Sequence, residues 1–209
     1  MLSYPSIEGS SKAPLGKPCI AFYKYDGSNL RFEWQRKGRQ WMKYGTRTQL
    51  FNASTPTFGP AISVFHGTAS EDMAAAIGDQ VVTRVTKKYP SMERIIAFCE
   101  WFGPKSFAGI HTDEAKDMEL RLIDVSLYKK GFMPPREFVK TFGSMRECAQ
   151  VIYEGNLNRT FIDDVRKGVY PVWEGVVAKG EDFMVKIKTD AYFKKLNEVY
   201  GTAYRLYWE

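Results

Sequence analysis

Short hydrophobic runs separated by polar turn residues dominate the first quarter of the chain. β-Branched and aromatic residues are concentrated at residues 20–25, 29–35 and 40–44, and the basic, glycine-containing segment 36–39 separates the last two runs. This pattern is typical of short β-strands joined by tight turns. Prolines and glycines interrupt residues 52–68, which predicts a loop there.

The spacing of apolar residues takes a helical period after this loop. Met73, Ile77, Val81 and Val85 recur every four residues and would form one apolar face. Ser70 precedes two acidic residues and has the character of a helix N-cap. The pattern therefore predicts a helix that begins after Ser70 and ends near residue 89.

The remainder of the chain mixes strand-like and helix-like segments. A proline pair at 134–135 opens a region that we predict to be helical, with breaks, as far as residue 167. Asp190 is the predicted cap of a last helix, and Gly201 suits the position just after its end. Four further strands are predicted, at residues 94–101, 120–128, 172–178 and 183–188.

The order of these segments predicts the fold class. We find no internal repeat, no low-complexity segment and no linker that would divide the sequence. Strands that follow one another in short hairpins, with helices between groups of them, favour an α+β fold in which helices flank antiparallel sheets. Residues 1–209 are predicted to form a single domain.

Composition narrows the class of protein. The 209 residues are 44% hydrophobic, enough for a substantial core, and no apolar run approaches the roughly 18 residues that cross a membrane. Three scattered cysteines and the lack of a signal-peptide pattern favour a reduced, cytoplasmic location. A formal net charge of +6 and 15% aromatic residues favour a polyanionic partner such as nucleic acid, although a modest basic excess is also common in other proteins.

Lys24 is the most informative candidate for chemistry. In a strand it would share a face with Ile20 and Phe22, where a lysine is costly unless a site requires it. A nucleophilic lysine must be neutral, whereas the pKa of a free lysine is about 10.4. We expect burial and nearby cations to lower the pKa of Lys24. The alternative is an edge lysine whose ammonium group reaches water.

Charged residues on later strands could complete such a site. Lys186 and Lys188 would project to one face of their strand, which is unfavourable unless an anion lies between them. Glu174 and Glu100 would each lie on the buried side of a strand, where carboxylates are usually paired or bound to metal. The alternatives are a solvated basic edge strand for the lysines and structural salt bridges for the glutamates.

Two further polar residues are ambiguous from chemistry alone. Asn29 follows the tight Asp26-Gly27-Ser28 corner, close to Lys24 in sequence. Arg47 could offer a bidentate guanidinium to a phosphate. Either residue could equally be a simple turn residue or an exposed cation. His66 and His111 are too isolated in sequence to indicate a metal site, and we expect both to be incidental.

These segments, taken in order, resemble the motifs of the covalent nucleotidyltransferases, a superfamily that contains ATP-dependent RNA and DNA ligases and capping enzymes. Residues 24–29 (Lys-Tyr-Asp-Gly-Ser-Asn) resemble motif I, and Glu100-Trp101-Phe102-Gly103 with the 106–109 loop resembles motif III of RNA ligases. Residues 173–177 resemble motif IV, and residues 185–188 resemble motif V. Tyr4-Pro5-Ser6-Ile7-Glu8 is similar to the N-terminal segment of phage RNA-repair ligases, which are related to RNA-editing ligases.

The resemblance implies an ATP-dependent RNA ligase with a nucleotidyltransferase (ATP-grasp-like ligase) domain and a lysyl-AMP intermediate on Lys24. It implies that Lys186 and Lys188 bind the α-phosphate and that Glu174 serves the lysine and a Mg²⁺ or Mn²⁺ ion. The nucleotide-binding residues that it implies are Tyr23, Asp26, Gly27, Asn29, Arg47 and Glu100. Many relatives carry an aromatic residue that stacks on adenine in the strand after motif III. Here that strand has none, so we expect an aliphatic contact from Leu122, or another ring, in its place.

The resemblance also implies which partners to expect and which alternative functions to consider. The expected substrates are ATP and RNA ends, and the sequence leaves open whether those ends are single-stranded or lie in a nicked duplex. Only residues 189–209 follow motif V, so we expect no OB-fold or large C-terminal domain, and sealing could require an accessory protein or domain. We expect a monomer without a membrane partner, cytoplasmic and of phage or viral type. The alternatives are a minimal DNA ligase or other nucleotidyltransferase, or a nucleic-acid- or nucleotide-binding module without catalysis.

Overall fold

Two β-sheets form the framework of the protein. The computed structural model describes residues 1–51, 71–112 and 114–204, and within them the chain forms eleven strands and four α-helices. The strands are β1 Glu8–Gly9, β2 Pro18–Lys24, β3 Gly27–Gln35, β4 Gln40–Thr46, β5 Leu50–Phe51, β6 Arg94–Phe102, β7 Glu119–Leu127, β8 Gly131–Phe132, β9 Val151–Asn156, β10 Gly175–Lys179 and β11 Met184–Lys188. The helices are α1 Glu71–Lys88, α2 Pro135–Phe142, α3 Arg159–Arg166 and α4 Asp190–Tyr200.

The five-stranded sheet brings distant parts of the sequence together. Its order is β1-β11-β10-β2-β9, and every pairing is antiparallel except that of β1 with β11. Strand β10 lies between β11 and β2, although β2 precedes it by about 150 residues in the chain. The early strand that ends at Lys24 therefore neighbours the late strands.

The six-stranded sheet has the order β5-β4-β3-β6-β7-β8, and all of its pairings are antiparallel. The two central strands, β3 and β6, pair along nine residues, from Gly27 opposite Phe102 to Gln35 opposite Arg94. Within this ladder Asn29 lies opposite Glu100. The two ends of this ladder are thus well separated along the strand direction. Asn29 and Glu100 lie near the end that begins with Gly27 and Phe102.

Apolar side chains bury strand β2 on both faces. Ile20 and Phe22 belong to a large core with the six-stranded sheet, α1 and α2. Cys19 and Ala21, on the opposite face, pack into a second core with α3, β10 and β11. This burial explains why β2 has a nearly continuous apolar run instead of strict alternation. The two cores also fix the position of the strand that carries Lys24, because each packs against one of its faces.

The helices follow the predicted patterns with one change at a cap. The predicted apolar face of α1 is confirmed at Ile77, Val81 and Val85, all of which are buried. Helix α4 begins one residue earlier than a cap at Asp190 requires, because Thr189 is the cap and its side chain accepts a hydrogen bond from the backbone N–H of Tyr192. Gly201 has a φ of +60°, as expected of a glycine that follows a helix.

Two predicted boundaries were wrong. The region 134–167 is not a broken helix throughout, because Val151–Asn156 forms edge strand β9, which pairs with β2. The Val-Ile-Tyr start of this segment suits a strand, but its partner is more than 100 residues away in sequence. Strand β10 begins at Gly175, three residues later than predicted.

Of the remaining predictions, one is confirmed and several concern residues that the structure does not describe. The α+β class with antiparallel sheets and flanking helices is confirmed. The loop at 52–68, Ser70 and His66 lie outside the described residues. No helix among the described residues is long and apolar enough to cross a membrane.

Candidate active site

A cavity of about 500 Å³ collects the motif residues. Both sheets contribute residues to its lining. The cavity volume is within the usual range for sites that bind small molecules. Ten of the eleven residues predicted from the sequence line it, and Leu122 does not. The ten are Tyr23, Lys24, Asp26, Gly27, Asn29, Arg47, Glu100, Glu174, Lys186 and Lys188.

A single carboxylate joins two of the predicted catalytic lysines. Glu174 Oε2 lies 2.7 Å from Lys24 Nζ, and Glu174 Oε1 lies 3.1 Å from Lys188 Nζ. Glu174 is almost fully buried, whereas the Lys24 side chain is 22% exposed. The pairing of a buried carboxylate that the sequence predicted is therefore observed, and its two partners come from opposite ends of the chain.

Strand register explains this bridge. Gly175, the first residue of β10, lies opposite Lys24 of β2 on one side and Lys188 of β11 on the other. Glu174 directly precedes it and is therefore placed between the two lysines. Gly175 has a φ of +146°, and a Cβ there would collide with the backbone oxygen of Ile187. Only glycine permits this close approach of the strands without strain.

The electrostatics of Lys24 contradict the prediction of a lowered pKa. Burial alone would lower the pKa of Lys24, but the charges of Glu174 and Glu100 and the hydrogen bond to Glu174 outweigh it and raise the pKa. The other two lysines differ from Lys24, since burial lowers the pKa of both Lys186 and Lys188, with Lys24 as a further cause. The protein without nucleotide therefore favours a protonated Lys24.

Glu100 and Asn29 form a second polar pair in the cavity. Burial, together with the charge of Glu174, raises the pKa of Glu100 to about 8, although Lys24 acts in the opposite direction. The Asn29 amide nitrogen donates to the backbone oxygen of Cys99 at 3.4 Å. Its Oδ1 atom is buried without a hydrogen-bond partner among the described residues. A buried acceptor of this kind is costly unless a ligand or water satisfies it.

Asp26 is held by a buried network that the sequence did not reveal. Its carboxylate lies 2.8 Å from His111 Nε2 and accepts a hydrogen bond from Tyr192 at 3.2 Å. His111 Nδ1 lies 2.9 Å from the Tyr200 hydroxyl, so the network ties the motif I corner to helix α4. The backbone N–H of Asp26 donates to Glu114, whose pKa is raised to about 7 by burial. The expectation that His111 is incidental was wrong, because its side chain is fully buried with polar partners on both nitrogens.

A second ion pair closes the inner end of the cavity. Lys179 Nζ lies 2.8 Å from Asp124 Oδ2 and also donates to the backbone oxygen of Ile123 at 2.7 Å. The Tyr4 hydroxyl donates to the same Asp124 oxygen at 3.2 Å, and burial raises the pKa of Tyr4 well above its ordinary value. Lys179 also lies over the ring of Phe22 at 5.0 Å. Strand alternation did not indicate Lys179 as a site residue, because its strand is buried on both faces.

The predicted aliphatic contact falls on a different residue. Leu122 is fully buried in the core, whereas its neighbour Ile123 lines the cavity. Strand alternation explains this, because Leu122 pairs with the buried Cys99 on the core face, whereas Ile123 shares its face with Arg121, which pairs with Glu100 of the cavity. Val177 also lines the cavity. Among the described residues, the aliphatic ones that line the cavity and are available to a base are thus Ile7, Ile123, Ala149 and Val177.

The ligands for a metal ion are few. Within the described ranges, no group of three or more histidine, cysteine, aspartate or glutamate side chains is placed to hold a metal ion by itself. Hard oxygen donors are nonetheless present in Glu174, Glu100 and the unpartnered Asn29 Oδ1. Ions such as Mg²⁺ often take one or two protein oxygens and complete their shell with water and phosphate. The donor set fits a metal that arrives with a nucleotide.

Comparison with known proteins adds a fold relationship. No protein-family model and no curated protein sequence matches the chain. Among solved structures, an RNA ligase of Naegleria gruberi in an apo variant form is similar, with a TM-score of 0.63 and 14% identity over 93% of this chain. The same ligase with pyrophosphate has a TM-score of 0.62 and 16% identity over 95% of this chain, and a variant with ATP and Mn has a TM-score of 0.60 and 16% identity over 93%.

The chain has the fold of this RNA ligase. The match covers 58% of the ligase chain in each of these structures, so the protein corresponds in length to little more than half of that enzyme. At 14–16% identity the similarity establishes a shared fold alone, and activity has to be argued from the residues of this chain. The expected fold type is thereby confirmed.

Proposed function

We propose that the chain is the adenylylation domain of an ATP-dependent RNA ligase. In the first step Lys24 Nζ would attack the α-phosphate of ATP, form a phosphorus–nitrogen bond and release pyrophosphate. In the second step the AMP would pass to the 5′-phosphate of an RNA end, and a 3′-hydroxyl would then displace it. The observation that carries the proposal is the Lys24–Glu174–Lys188 bridge at the cavity wall, since it supplies a nucleophile, a proton acceptor and a phosphate-binding cation together.

The state of Lys24 defines what the site must do before attack. Lys24 has a raised pKa in the nucleotide-free protein and must lose its proton to become nucleophilic. Glu174 Oε2, at 2.7 Å, is the nearest acceptor for that proton. Lys186 and Lys188 would then face the negative charge that develops on the α-phosphate, which is the preorganised stabilisation that such a step needs.

A divalent cation fits the same wall of the cavity. Glu174, Glu100 and the buried Asn29 Oδ1 are the oxygen donors that would hold Mg²⁺ or Mn²⁺, directly or through its waters. The ion would supply positive charge to the triphosphate and weaken the attraction between Glu174 and Lys24. Arg47, which is exposed at the rim, would contact phosphates of the nucleotide or of the RNA end.

The choice of RNA as acceptor rests on motif resemblance and on the fold neighbours, which are RNA ligases. Because the chain spans only 58% of those ligases, sealing by this chain alone is also part of the proposal, and an accessory protein or domain could be required. A DNA ligase or a nucleotide-binding module without chemistry would use the same cavity. The experiment below separates these possibilities.

The test is the intact mass of the protein after incubation with ATP and Mg²⁺ or Mn²⁺. We expect a gain of one AMP in the wild type and none in Lys24→Ala. Lys17→Ala, which removes an exposed lysine paired with Asp182, is the matched control and should still gain AMP. Sealing of nicked RNA, nicked DNA and single-stranded RNA by the adenylylated protein then identifies the acceptor. A well-folded wild type that gains no covalent nucleotide (AMP from ATP or NAD, GMP from GTP) contradicts the proposal.

A further inference from the structure

A dense basic surface lies at the end of the six-stranded sheet that is farthest from the cavity. The β3–β4 turn, the segment from the end of α1 to the start of β6, and the β7–β8 turn meet there. We call it the distal basic surface. Its members are Arg36, Lys37, Arg39, Lys87, Lys88, Arg94, Lys129 and Lys130.

Backbone hydrogen bonds hold these three connections together. The N–H of Arg36 donates to the backbone oxygen of Glu93 at 2.9 Å, and the N–H of Tyr128 donates to that of Arg94 at 3.1 Å. The Arg36 side chain also donates to the backbone oxygen of Pro90. Pairing of the strands therefore brings these cations together, although they come from segments up to about 90 residues apart in sequence.

The distal basic surface is poorly neutralised. All of its members except the half-buried Arg94 are exposed, and among the described residues only Lys88 of the set forms an ion pair, with Glu137 at 2.6 Å. Against the eight cations stand three nearby carboxylates, Glu93, Glu137 and the buried Glu33 that shares a pocket with Arg94 and Lys129, so the surface keeps a clear excess of positive charge. Unpaired like charges at this density repel one another and favour binding of an extended anion.

Aromatic rings lie among the cations. Tyr89 has Lys88 and Lys130 at 5.3 and 5.1 Å from its ring centroid. Tyr128 has Arg94 and Lys129 at 3.9 and 5.2 Å. Basic surfaces with interspersed aromatic rings are typical of nucleic-acid-binding proteins, because the cations contact phosphates and the rings contact sugars or bases. A surface for an acidic protein would not require the rings.

We propose that the distal basic surface binds the phosphate backbone of RNA whose end lies in the cavity. The inference rests on the proposed function for the RNA end, but the binding itself needs no catalysis. From Asn29 at the cavity to Gln35 at the distal end, β3 spans about 20 Å at about 3.3 Å per residue. This length corresponds to about 6 base pairs at the rise of about 3.4 Å of B-form DNA, and to slightly more in A-form RNA, whose rise is shorter. One substrate can therefore reach both regions, and contacts to its backbone carry no sequence preference.

The test compares two triple variants that remove the same charge. The first, Lys37→Gln/Lys129→Gln/Lys130→Gln, changes the distal basic surface. The control, Arg159→Gln/Lys167→Gln/Lys194→Gln, removes three exposed cations from α3, its C-terminus and α4. Binding of a 5′-phosphorylated 16-base-pair RNA duplex is measured by fluorescence anisotropy between 50 and 300 mM salt. Circular dichroism and AMP incorporation from ATP report folding and the cavity.

We expect the first variant to bind RNA at least tenfold more weakly at 50 mM salt, with a log–log salt slope that is smaller by about 2 to 3. The control should change affinity less than threefold, and AMP incorporation should be the same in both variants and the wild type. Equal losses in the two variants, or wild-type affinity in the first, would overturn the inference. So would a polyglutamate peptide that binds as tightly as RNA through the same three lysines, since that result would indicate a surface for an acidic protein.

The outcomes also separate this inference from the proposed function. If RNA binding depends on the distal basic surface but no AMP is incorporated, the ligase proposal fails and the RNA-binding inference stands. If AMP is incorporated but RNA binding ignores the three lysines, only the RNA-binding inference fails.

Discussion

Replacing Glu174 by glutamine should make Lys24 more reactive as a nucleophile. The carboxylate of Glu174 is 2.7 Å from Lys24 Nζ and is the principal reason that the pKa of this lysine is raised despite burial. Glu174→Gln keeps the shape and a hydrogen-bond acceptor but removes the negative charge. The remaining burial and the cations Lys186 and Lys188 should then favour the neutral amine.

The size of the effect follows from the geometry. Two unit charges 4 Å apart attract by about 4 kcal/mol at an effective dielectric constant of about 20, and Glu174 is closer than that. Glu100 and Asp26 still act on Lys24 in the variant, and the neutral amide retains part of the hydrogen bond. A net loss of only about 1.4 kcal/mol from the ammonium form already corresponds to a tenfold larger neutral fraction. We therefore expect at least a tenfold faster reaction of Lys24 at pH 8.

The assay is competitive amine labelling with a small acylating reagent, followed by peptide mass spectrometry at Lys24. The side chain is 22% exposed, so the reagent can reach it through the cavity. Each labelling rate of Lys24 at pH 8 is divided by the rate at pH 11, which corrects for how easily the reagent reaches the side chain. The control is Glu181→Gln, which changes an exposed glutamate in the β10–β11 turn. If Glu174→Gln leaves the normalised rate at pH 8 unchanged or lowers it, the electrostatic account of Lys24 is wrong.

Three further perturbations test other parts of the site. The pKa of Glu100, raised by burial to about 8, means that the folded state keeps a proton that the unfolded chain releases near pH 4.5, so stability should fall as pH rises from 5 to 8. In urea titrations, Glu100→Gln should remove about 3 kcal/mol of this pH-dependent fall in the free energy of unfolding. If the wild type and the variant instead lose stability in parallel between pH 5 and pH 8, the raised pKa of Glu100 is wrong. Gly175→Ala should destabilise the fold by more than about 3 kcal/mol and prevent AMP incorporation, whereas Gly9→Ala, which meets no atom within 4 Å, should have little effect. His111→Gln should cost about 2–4 kcal/mol, and its effect should be strongly non-additive with Asp26→Asn in a double-mutant cycle; simple additivity would show that the two residues do not act together.

The local pattern of the sequence was sufficient to predict most strands and to place most motif residues at one cavity. Period-two alternation in β11 predicted that Lys186 and Lys188 share a face, and both line the cavity. The same reasoning identified Lys24 on the inner face of β2. These predictions succeed because the direction of a side chain in a regular strand depends only on neighbouring residues. The roles assigned to these residues in catalysis stay predictions.

Local pattern failed where the outcome depended on a partner that is distant in sequence. Edge strand β9 was predicted as helix because its pairing partner, β2, is not visible from its own sequence. Ile123 lines the cavity instead of Leu122 because the face of β7 that points to the site is set by the pairing of Arg121 with Glu100 on β6, which the sequence of β7 alone does not show. His111 meets Asp26 across 85 residues, and no spacing rule connects a loop histidine to a turn aspartate.

The sequence alone therefore identified charged side chains that line the cavity, and the tertiary structure decided their protonation and their partners. Lys24, Glu174 and Lys188 are recognisable one by one from charge and strand alternation. That one carboxylate lies between both lysines, and so raises the pKa of Lys24 instead of leaving it lowered, depends on β10 being placed between β2 and β11. Electrostatic interactions act through space over a few ångströms, so only the packed sheet sets their sign and strength.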